Sequence, residues 1–233
     1  MSAPTVVLVH GAWHGSWAWS GIVGGLEEAG ARVIAVDLPS CADPDDSGEP
    51  GNLRDDASVV RSTLESVDGP VVLVGHSYGG IVISEAAVSV ANVEHLVYVC
   101  AFMLEDGESL LDAVGGEPPE WFVYSEDGEY IEADRPEEIF YNDVSPETTA
   151  ESVRRLKHFS SRATQQSQDG AAWREIPSTY VVCEKDNAIP PSAQEAMSQR
   201  ASRVRRMEAS HSPFLSEPRE IAEILRNAIP ATS

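Results

Sequence analysis

Short apolar runs, most of them rich in β-branched residues, recur along the chain and alternate with longer segments of mixed polarity. They occupy residues 5–9, 32–36, 71–74, 95–101, 179–183 and 204–207. Runs this short and this apolar are typical of strands buried on both faces of a parallel sheet. Several intervening segments have helical length and one apolar face, as between residues 52 and 67. The pattern therefore predicts an α/β fold, a mostly parallel sheet with helices on both faces.

One long segment interrupts this alternation. From residue 102 to residue 174 there is no strong strand pattern, while acidic and aromatic residues are frequent. We expect a cap inserted at about residues 103–175 into a single domain of residues 1–233. The cap should be partly helical, most clearly over residues 146–159, with a short hairpin around residues 126–129. Most of its aromatic side chains should pack the cap on the core, and a few should line a pocket.

Residues 75–79 read Gly-His-Ser-Tyr-Gly and lie between the third apolar run and an apolar segment at residues 81–90. This order predicts a strand, a sharp turn and a helix, with Ser77 at the turn. Glycine is expected at positions 75 and 79 because a Cβ atom there would collide with neighbouring backbone. The Ser77 hydroxyl would then stand at a helix N-terminus, where free N–H groups can meet a developing anion. We therefore predict Ser77 as a nucleophile.

A serine nucleophile needs a base, and the base needs an orienting acid. His211 and Asp186 follow the last two predicted strands, and loops after parallel strands meet at one edge of a sheet. The resulting order, serine, aspartate, histidine, is that of α/β-hydrolases. The other candidate bases are less favourably placed: His76, His95 and His158. The other candidate acids are Glu184, Glu105 and Asp106.

The first predicted strand ends in a glycine-rich loop, residues 10–17, which read His-Gly-Ala-Trp-His-Gly-Ser-Trp. Such a loop can turn backbone N–H groups outward, as an oxyanion hole requires. We predict the N–H groups of Ala12 and Tyr78 as its two donors, with His10 and His14 shaping the loop. The residues predicted to contact substrate are Gly11, His76 and Trp121.

The charge balance excludes some partners. The chain has 16 basic and 38 acidic residues, a formal net charge of −22. Such a surface repels nucleic acid and anionic membranes, so neither is expected as a partner. The acidic Asp37 does not mark a dinucleotide site, because the first loop lacks Gly-x-Gly-x-x-Gly.

The remaining motifs predict no metal and no cofactor. There is no Cys-x-x-Cys or His-x-x-x-His pattern. Three cysteines cannot pair evenly, and we expect buried reduced thiols: Cys41, Cys100 and Cys183. The chain enters its first strand without a basic or long apolar leader, so we expect no signal peptide, no membrane helix and a cytoplasmic protein. A homodimer is left open.

These motifs resemble the α/β-hydrolase superfamily over nearly the full chain. Within it, the chain is most similar to plant hydroxynitrile lyases, plant methyl esterases of the salicylate or jasmonate type, and bacterial esterases. The resemblance rests on residues 9–17, 75–80, 176–190 and 211–214. It implies a triad of Ser77, Asp186 and His211, oxyanion amides at Ala12 and Tyr78, and a cap that sets substrate choice.

Two departures separate the activities within that subgroup. Its lyases carry a threonine at the position of Gly11 and a lysine directly after the catalytic histidine, where this chain has Ser212. Without that lysine, no cation is available for a leaving cyanide. We therefore expect a serine carboxylic-ester hydrolase for a small, mostly apolar ester, aromatic and methyl esters included. A hydroxynitrile lyase and a catalytically silent ligand-binding protein remain the alternatives.

Overall fold

A six-stranded sheet lies at the centre of the computed structural model, which describes residues 3–43 and 48–229. From edge to edge, its strands are β10 (Arg203–Met207), β9 (Ser178–Cys183), β5 (Val93–Val99), β4 (Val71–His76), β1 (Thr5–Val9) and β2 (Arg32–Val36). Every neighbouring pair is parallel. The predicted parallel sheet is therefore confirmed, with the fourth strand two residues earlier than expected.

Helices cover both faces of this sheet. They are α1 (Ser20–Glu27), α2 (Leu53–Glu65), α3 (Gly79–Ala86), α8 (Pro191–Ser198), α9 (Pro213–Ser216) and α10 (Pro218–Arg226). Because successive side chains of a strand point to opposite faces, β1 contributes to two cores. Val7 and Val9 pack in a cluster with residues of α2, α3 and α8. Val6 and Leu8 pack in a second cluster with α1, α9 and α10.

The segment between β5 and β9, called the cap from here on, contains three short strands, of which the sequence analysis expected only the two that flank the predicted hairpin. They are β6 (Phe122–Tyr124), β7 (Tyr130–Ala133) and β8 (His158–Ser160). The predicted hairpin at residues 126–129 joins β6 to β7 and is confirmed. A two-residue strand, β3 (Cys41–Ala42), pairs with β8 and completes a four-stranded antiparallel sheet. Strands of two to four residues are too short to give a recognisable alternating pattern.

The cap also contains four short helices, α4 (Leu110–Ala113), α5 (Pro136–Phe140), α6 (Pro146–Val153) and α7 (Ser161–Gln165). The helix predicted over residues 146–159 ends at Val153, because the chain then enters β8. The helix after the Ser77 turn likewise ends at Ala86 rather than at residue 90, and Ser89 has a positive φ of 60°. The acidic loop predicted at residues 41–52 begins with β3, and its residues 44–47 lie outside the described residues.

Two further expectations concern the whole chain. The three cysteines are buried and free, as predicted. Across residues 3–43 and 48–229, no helix combines the length and the hydropathy that a bilayer crossing requires.

A buried carboxyl group ties α2 to the Ser77 turn. Asp56 is fully buried in the first turn of α2 and accepts hydrogen bonds from the Ser40 N–H (2.8 Å) and the Tyr78 hydroxyl (2.7 Å). Burial raises the pKa of Asp56 to about 7, against the opposing effect of these donors. The folded chain therefore holds a proton here that the unfolded chain releases near its ordinary pKa of about 3.9.

This proton makes a testable contribution to stability. Because the pKa is higher in the folded state, the free energy of unfolding should fall as the pH rises from about 4 to about 7. Asp56→Asn removes the titration while retaining an oxygen for the Ser40 N–H. The free energy of unfolding of the variant minus that of wild type, measured by urea denaturation, should rise by about 2–3 kcal/mol between about pH 5 and about pH 8. A stability difference that does not change with pH would contradict this prediction.

Candidate active site

The turn at Ser77 is sharp and sterically constrained. Ser77 follows β4 with φ of 53°, in the left-handed region that side chains rarely adopt. A Cβ atom added at Gly75 would lie 2.6 Å from the Gly79 oxygen, and one at Gly79 would lie 2.6 Å from the His10 oxygen. The predicted need for glycine on both sides of the serine is therefore confirmed. The turn presents Ser77 to a cavity beneath the cap.

A carboxylate and an imidazole from two other loops are paired at the same edge of the sheet. The His211 Nδ1 lies 2.7 Å from the Asp186 Oδ2, and both side chains are buried. Asp186 Oδ1 also accepts from the backbone N–H groups of Ala188 and Ile189, at 2.7 and 2.9 Å. With Nδ1 facing the carboxylate, Nε2 is the ring nitrogen left for proton transfer. His211 lines the same cavity as Ser77.

Gln194 is a supporting residue that the sequence analysis missed. Its Nε2 donates to the Asp186 Oδ2 at 2.8 Å, and its Oε1 accepts from the Cys183 N–H at 2.9 Å. It is fully buried on α8. No sequence pattern distinguishes it, because a glutamine on a helix is ordinarily exposed.

The alternative acids and bases have other partners. Among the acids, Glu105 pairs with Arg174 and Arg200, and Asp106 accepts from the Gly170 N–H. Glu184 is exposed. Among the bases, His95 bonds the Thr179 hydroxyl on the sheet, and His158 faces Glu132 in the cap.

The loop after β1 brings two backbone amides to the cavity. Ala12 and Tyr78 both line it, and within the described part of the chain neither N–H donates to a protein acceptor. His10 Nδ1 donates to the Gly11 oxygen and His14 Nδ1 to the Ala12 oxygen, each at 2.8 Å. Burial lowers the pKa of His10 to about 4 and that of His14 to about 3, so both rings are neutral near neutral pH.

Gly11 and His76, two of the residues predicted to contact substrate, are not among the described residues that line the cavity. His76 Nε2 donates to the His211 oxygen at 2.7 Å and so supports the backbone of the His211 loop. A Cβ atom at Gly11 would lie 2.8 Å from the His76 Nδ1 and 2.8 Å from the Ser77 Cβ. Gly11 is therefore needed for close packing of the loop against the turn.

His211 and two neighbouring side chains form a group of three potential metal ligands. Ligating atoms of His76, Cys100 and His211 lie within 4.8 Å of one another. All three side chains already have hydrogen-bond partners: the Cys100 thiol donates to the His211 oxygen at 3.4 Å, beside the His76 contact, and His211 Nδ1 faces Asp186. We interpret this group as the support that fixes the His211 loop.

The residues that form this site lie within a segment that matches a family model. The match, to the alpha/beta hydrolase family, extends over residues 6–224. The chain belongs to the alpha/beta hydrolase family. The curated relative nvfD of Aspergillus novofumigatus, named an alpha/beta hydrolase, is 31% identical over 246 aligned positions, which cover 98% of this chain and 97% of the relative.

Other members of the family carry more specific names. Methylesterase 7 of Arabidopsis thaliana is 30% identical, covering 94% of each chain. The solved structure of a pyrethroid hydrolase from Sphingobium faniae JZ-2 superposes with a TM-score of 0.82 at 25% identity, covering 97% of each chain. The expected resemblance to the methyl esterase subgroup is confirmed.

The cavity of this hydrolase is small and apolar. The empty space between its lining atoms is about 360 Å³, part of which is open to solvent. Of the described residues that line it, none is Asp, Glu, Lys or Arg; they are Ala12, Trp13, Ser77, Tyr78, Phe102, Leu110, Val114, Pro119, Trp121, Phe122, Phe140, Ala188, Ile189 and His211. Trp121 is thus in the predicted position, while Trp13, Phe102 and Phe140 were missed because their approach depends on tertiary packing.

The steric constraint at the turn can be tested with two glycine substitutions. Gly75→Ala should lower the free energy of unfolding by about 3 kcal/mol or more, because the methyl group meets rigid backbone. Gly24→Ala is the matched control: it is exposed in α1 with nothing within 4 Å of the added carbon. It should raise stability by about 0.5–1 kcal/mol in urea denaturation. Equal effects of the two substitutions would contradict the steric argument.

Proposed function

We propose that this chain is a serine carboxylic-ester hydrolase, one α/β-hydrolase domain with a cap insertion at about residues 103–175. The observation that carries the proposal is the buried Asp186–His211 pair, whose imidazole lines the same cavity as Ser77, Ala12 and Tyr78. Ester hydrolysis is also supported by relatives whose names include methylesterases and a pyrethroid hydrolase.

In the proposed mechanism, the Ser77 Oγ attacks the ester carbonyl carbon while the His211 Nε2 takes the hydroxyl proton. Asp186 holds the Nδ1–H tautomer and stabilises the imidazolium that forms. The N–H groups of Ala12 and Tyr78 stabilise the oxyanion of the tetrahedral intermediate. His211 then protonates the leaving alkoxide. In the second half, His211 takes a proton from the water that attacks the acyl carbon, and it returns this proton to the Ser77 Oγ as the bond to the acyl group breaks and the acid is released.

The substrate should be a small, neutral and mostly apolar ester. The lining offers aromatic and aliphatic surface without a cationic side chain, so a carboxylate on the substrate would lose its hydration without finding a partner. The net charge of −22 adds an unfavourable field for anions. Aromatic esters and methyl esters fit these properties.

Two alternatives are less favourable. A hydroxynitrile lyase of the resembled type needs a side chain at Gly11, where a Cβ atom would contact both His76 and Ser77 at 2.8 Å, and a lysine in place of Ser212. We therefore expect no cyanide release from mandelonitrile. A silent ligand-binding protein would have no need of a carboxylate so completely hydrogen-bonded to its histidine.

The nucleophile is tested with an active-site probe. A fluorophosphonate should label wild type, and Ser77→Ala should abolish labelling and lower kcat for 4-nitrophenyl butyrate by roughly 10⁴-fold or more. The exposed Ser62 on α2 provides the matched control, because Ser62→Ala removes a hydroxyl far from the cavity. Labelling of the Ser77→Ala variant, or no turnover of any activated ester by wild type, would overturn the proposal.

The preference for neutral acyl groups is tested with a matched pair of substrates. 4-Nitrophenyl butyrate and 4-nitrophenyl hemisuccinate are close in size and differ by a carboxylate. We expect kcat/KM to favour the butyrate by at least about tenfold, because the cavity provides no partner for the anion. Equal values at high salt, where the long-range field is screened, would argue against an apolar acyl site.

A further inference from the structure

One segment of the cap, residues 138–143, contacts the three loops that carry Asp186, His211 and Ala12. We call it the bridging segment. Its contacts are Asn187 Nδ2 to the Glu138 oxygen (2.8 Å), Asn142 Nδ2 to the Lys185 oxygen (3.0 Å), the Ser210 N–H to the Asp143 Oδ2 (2.8 Å), and the Tyr141 hydroxyl to the His14 Nε2 (2.8 Å). The last contact leads directly to Ala12.

The hydrogen bonds between Tyr141, His14 and Ala12 have a defined direction. The Ala12 carbonyl oxygen can only accept, so the His14 Nδ1 carries the hydrogen of their 2.8 Å bond. Burial keeps the ring neutral by lowering its pKa to about 3. The Nε2 of His14 is then an acceptor, and the Tyr141 hydroxyl donates to it. Both side chains are buried, so water does not offer an easy substitute.

Hydrogen bonds to the Gly11 and Ala12 oxygens hold the two peptide groups on either side of the Ala12 Cα. The peptide group that contains the Ala12 N–H also contains the Gly11 oxygen, which His10 holds at 2.8 Å. The next peptide group contains the Ala12 oxygen, which His14 holds. Trp13 follows with φ of 62°, a conformation that persists only where its surroundings enforce it. Holding both peptide groups fixes the direction of the Ala12 N–H.

We propose that Tyr141 and His14 are positioning residues for ester hydrolysis, through which the cap holds the Ala12 N–H on the developing oxyanion. The inference rests on the proposed function. Neither side chain is among those that line the cavity, so their effect is transmitted through the Ala12 backbone. An oxyanion donor acts mainly in the transition state, so its misplacement should lower kcat more than it changes KM.

The test is Tyr141→Phe, which keeps the ring and removes only the hydroxyl. Tyr130→Phe is the matched control, because the Tyr130 hydroxyl, also in the cap, donates to the Gly48 oxygen in the segment between β3 and α2. For 4-nitrophenyl butyrate we expect Tyr141→Phe to lower kcat about tenfold with KM within about twofold, and Tyr130→Phe to match wild type. Unchanged kcat in Tyr141→Phe would overturn the proposal.

A pair of inhibitors separates positioning from general loosening of the cap. The serine adds to the carbonyl carbon of an aryl trifluoromethyl ketone and forms an oxyanion, whereas the matching methyl ketone binds largely without this addition. Tyr141→Phe should weaken the trifluoromethyl ketone about tenfold and leave the methyl ketone unchanged. Equal weakening of both would assign Tyr141 a merely structural role and overturn the proposal.

A double-mutant cycle tests whether Tyr141 acts through His14. The amide of His14→Asn can still donate to the Ala12 oxygen, but the shorter side chain cannot take the Tyr141 hydroxyl in the same way. In that background, Tyr141→Phe should lower kcat by less than about twofold. If the effects of the two substitutions on kcat multiply, Tyr141 does not act through His14 and the proposal is overturned.

The failure of this inference can be distinguished from the failure of the proposed function. If fluorophosphonate does not label wild type, the proposed hydrolase itself fails. If it does label wild type and the two effects multiply, only the positioning inference fails.

Discussion

The structure depends on one tight crossing of backbone, where β4 turns into α3 directly beneath the loop that follows β1. Backbone atoms approach so closely here that Gly75, Gly79 and Gly80 each leave less than 3.0 Å for an added carbon. The turn holds Ser77 at positive φ, and the packing of Gly11 against Ser77 and His76 brings the Ala12 loop alongside it. Ser77 and the backbone N–H groups of Ala12 and Tyr78 converge on one cavity because no side chain keeps these segments apart.

Around this crossing, several buried polar groups hydrogen-bond to one another. The Asp186 carboxylate accepts from two backbone N–H groups and from the side chains of Gln194 and His211. The His211 carbonyl accepts from His76 and the Cys100 thiol. Such networks are costly when one member is missing, so each bond constrains the geometry of the next. The site is rigid because the groups that orient it are buried and paired.

The cap contacts the loops of the core around the cavity as well as covering the cavity itself. Its small sheet is completed by β3 from the core, and Trp13 of the loop after β1 donates through Nε1 to the Ile131 oxygen in β7 at 2.7 Å. The same indole packs against Trp121, Phe122 and Phe140. Cap and core therefore share one aromatic cluster above an apolar cavity, while the acidic surface faces solvent.

The sequence by itself determined the parallel sheet, the turn at Ser77 and the order of the candidate triad. These features are local: apolar runs of strand length, glycines flanking a serine, and polar residues directly after strands. It did not determine the short strands β3 and β8, or that Gly11 and His76 are not among the described residues that line the cavity.

Only the tertiary structure could select Gln194 and Tyr141 as supporting residues. Gln194 reaches Asp186 across eight residues, and Tyr141 reaches His14 across 127. Hydrogen bonds between distant segments leave no periodicity in the sequence, because they depend on how separate elements pack. Local sequence motifs therefore identify the candidate site residues, whereas long-range packing determines how these residues are oriented.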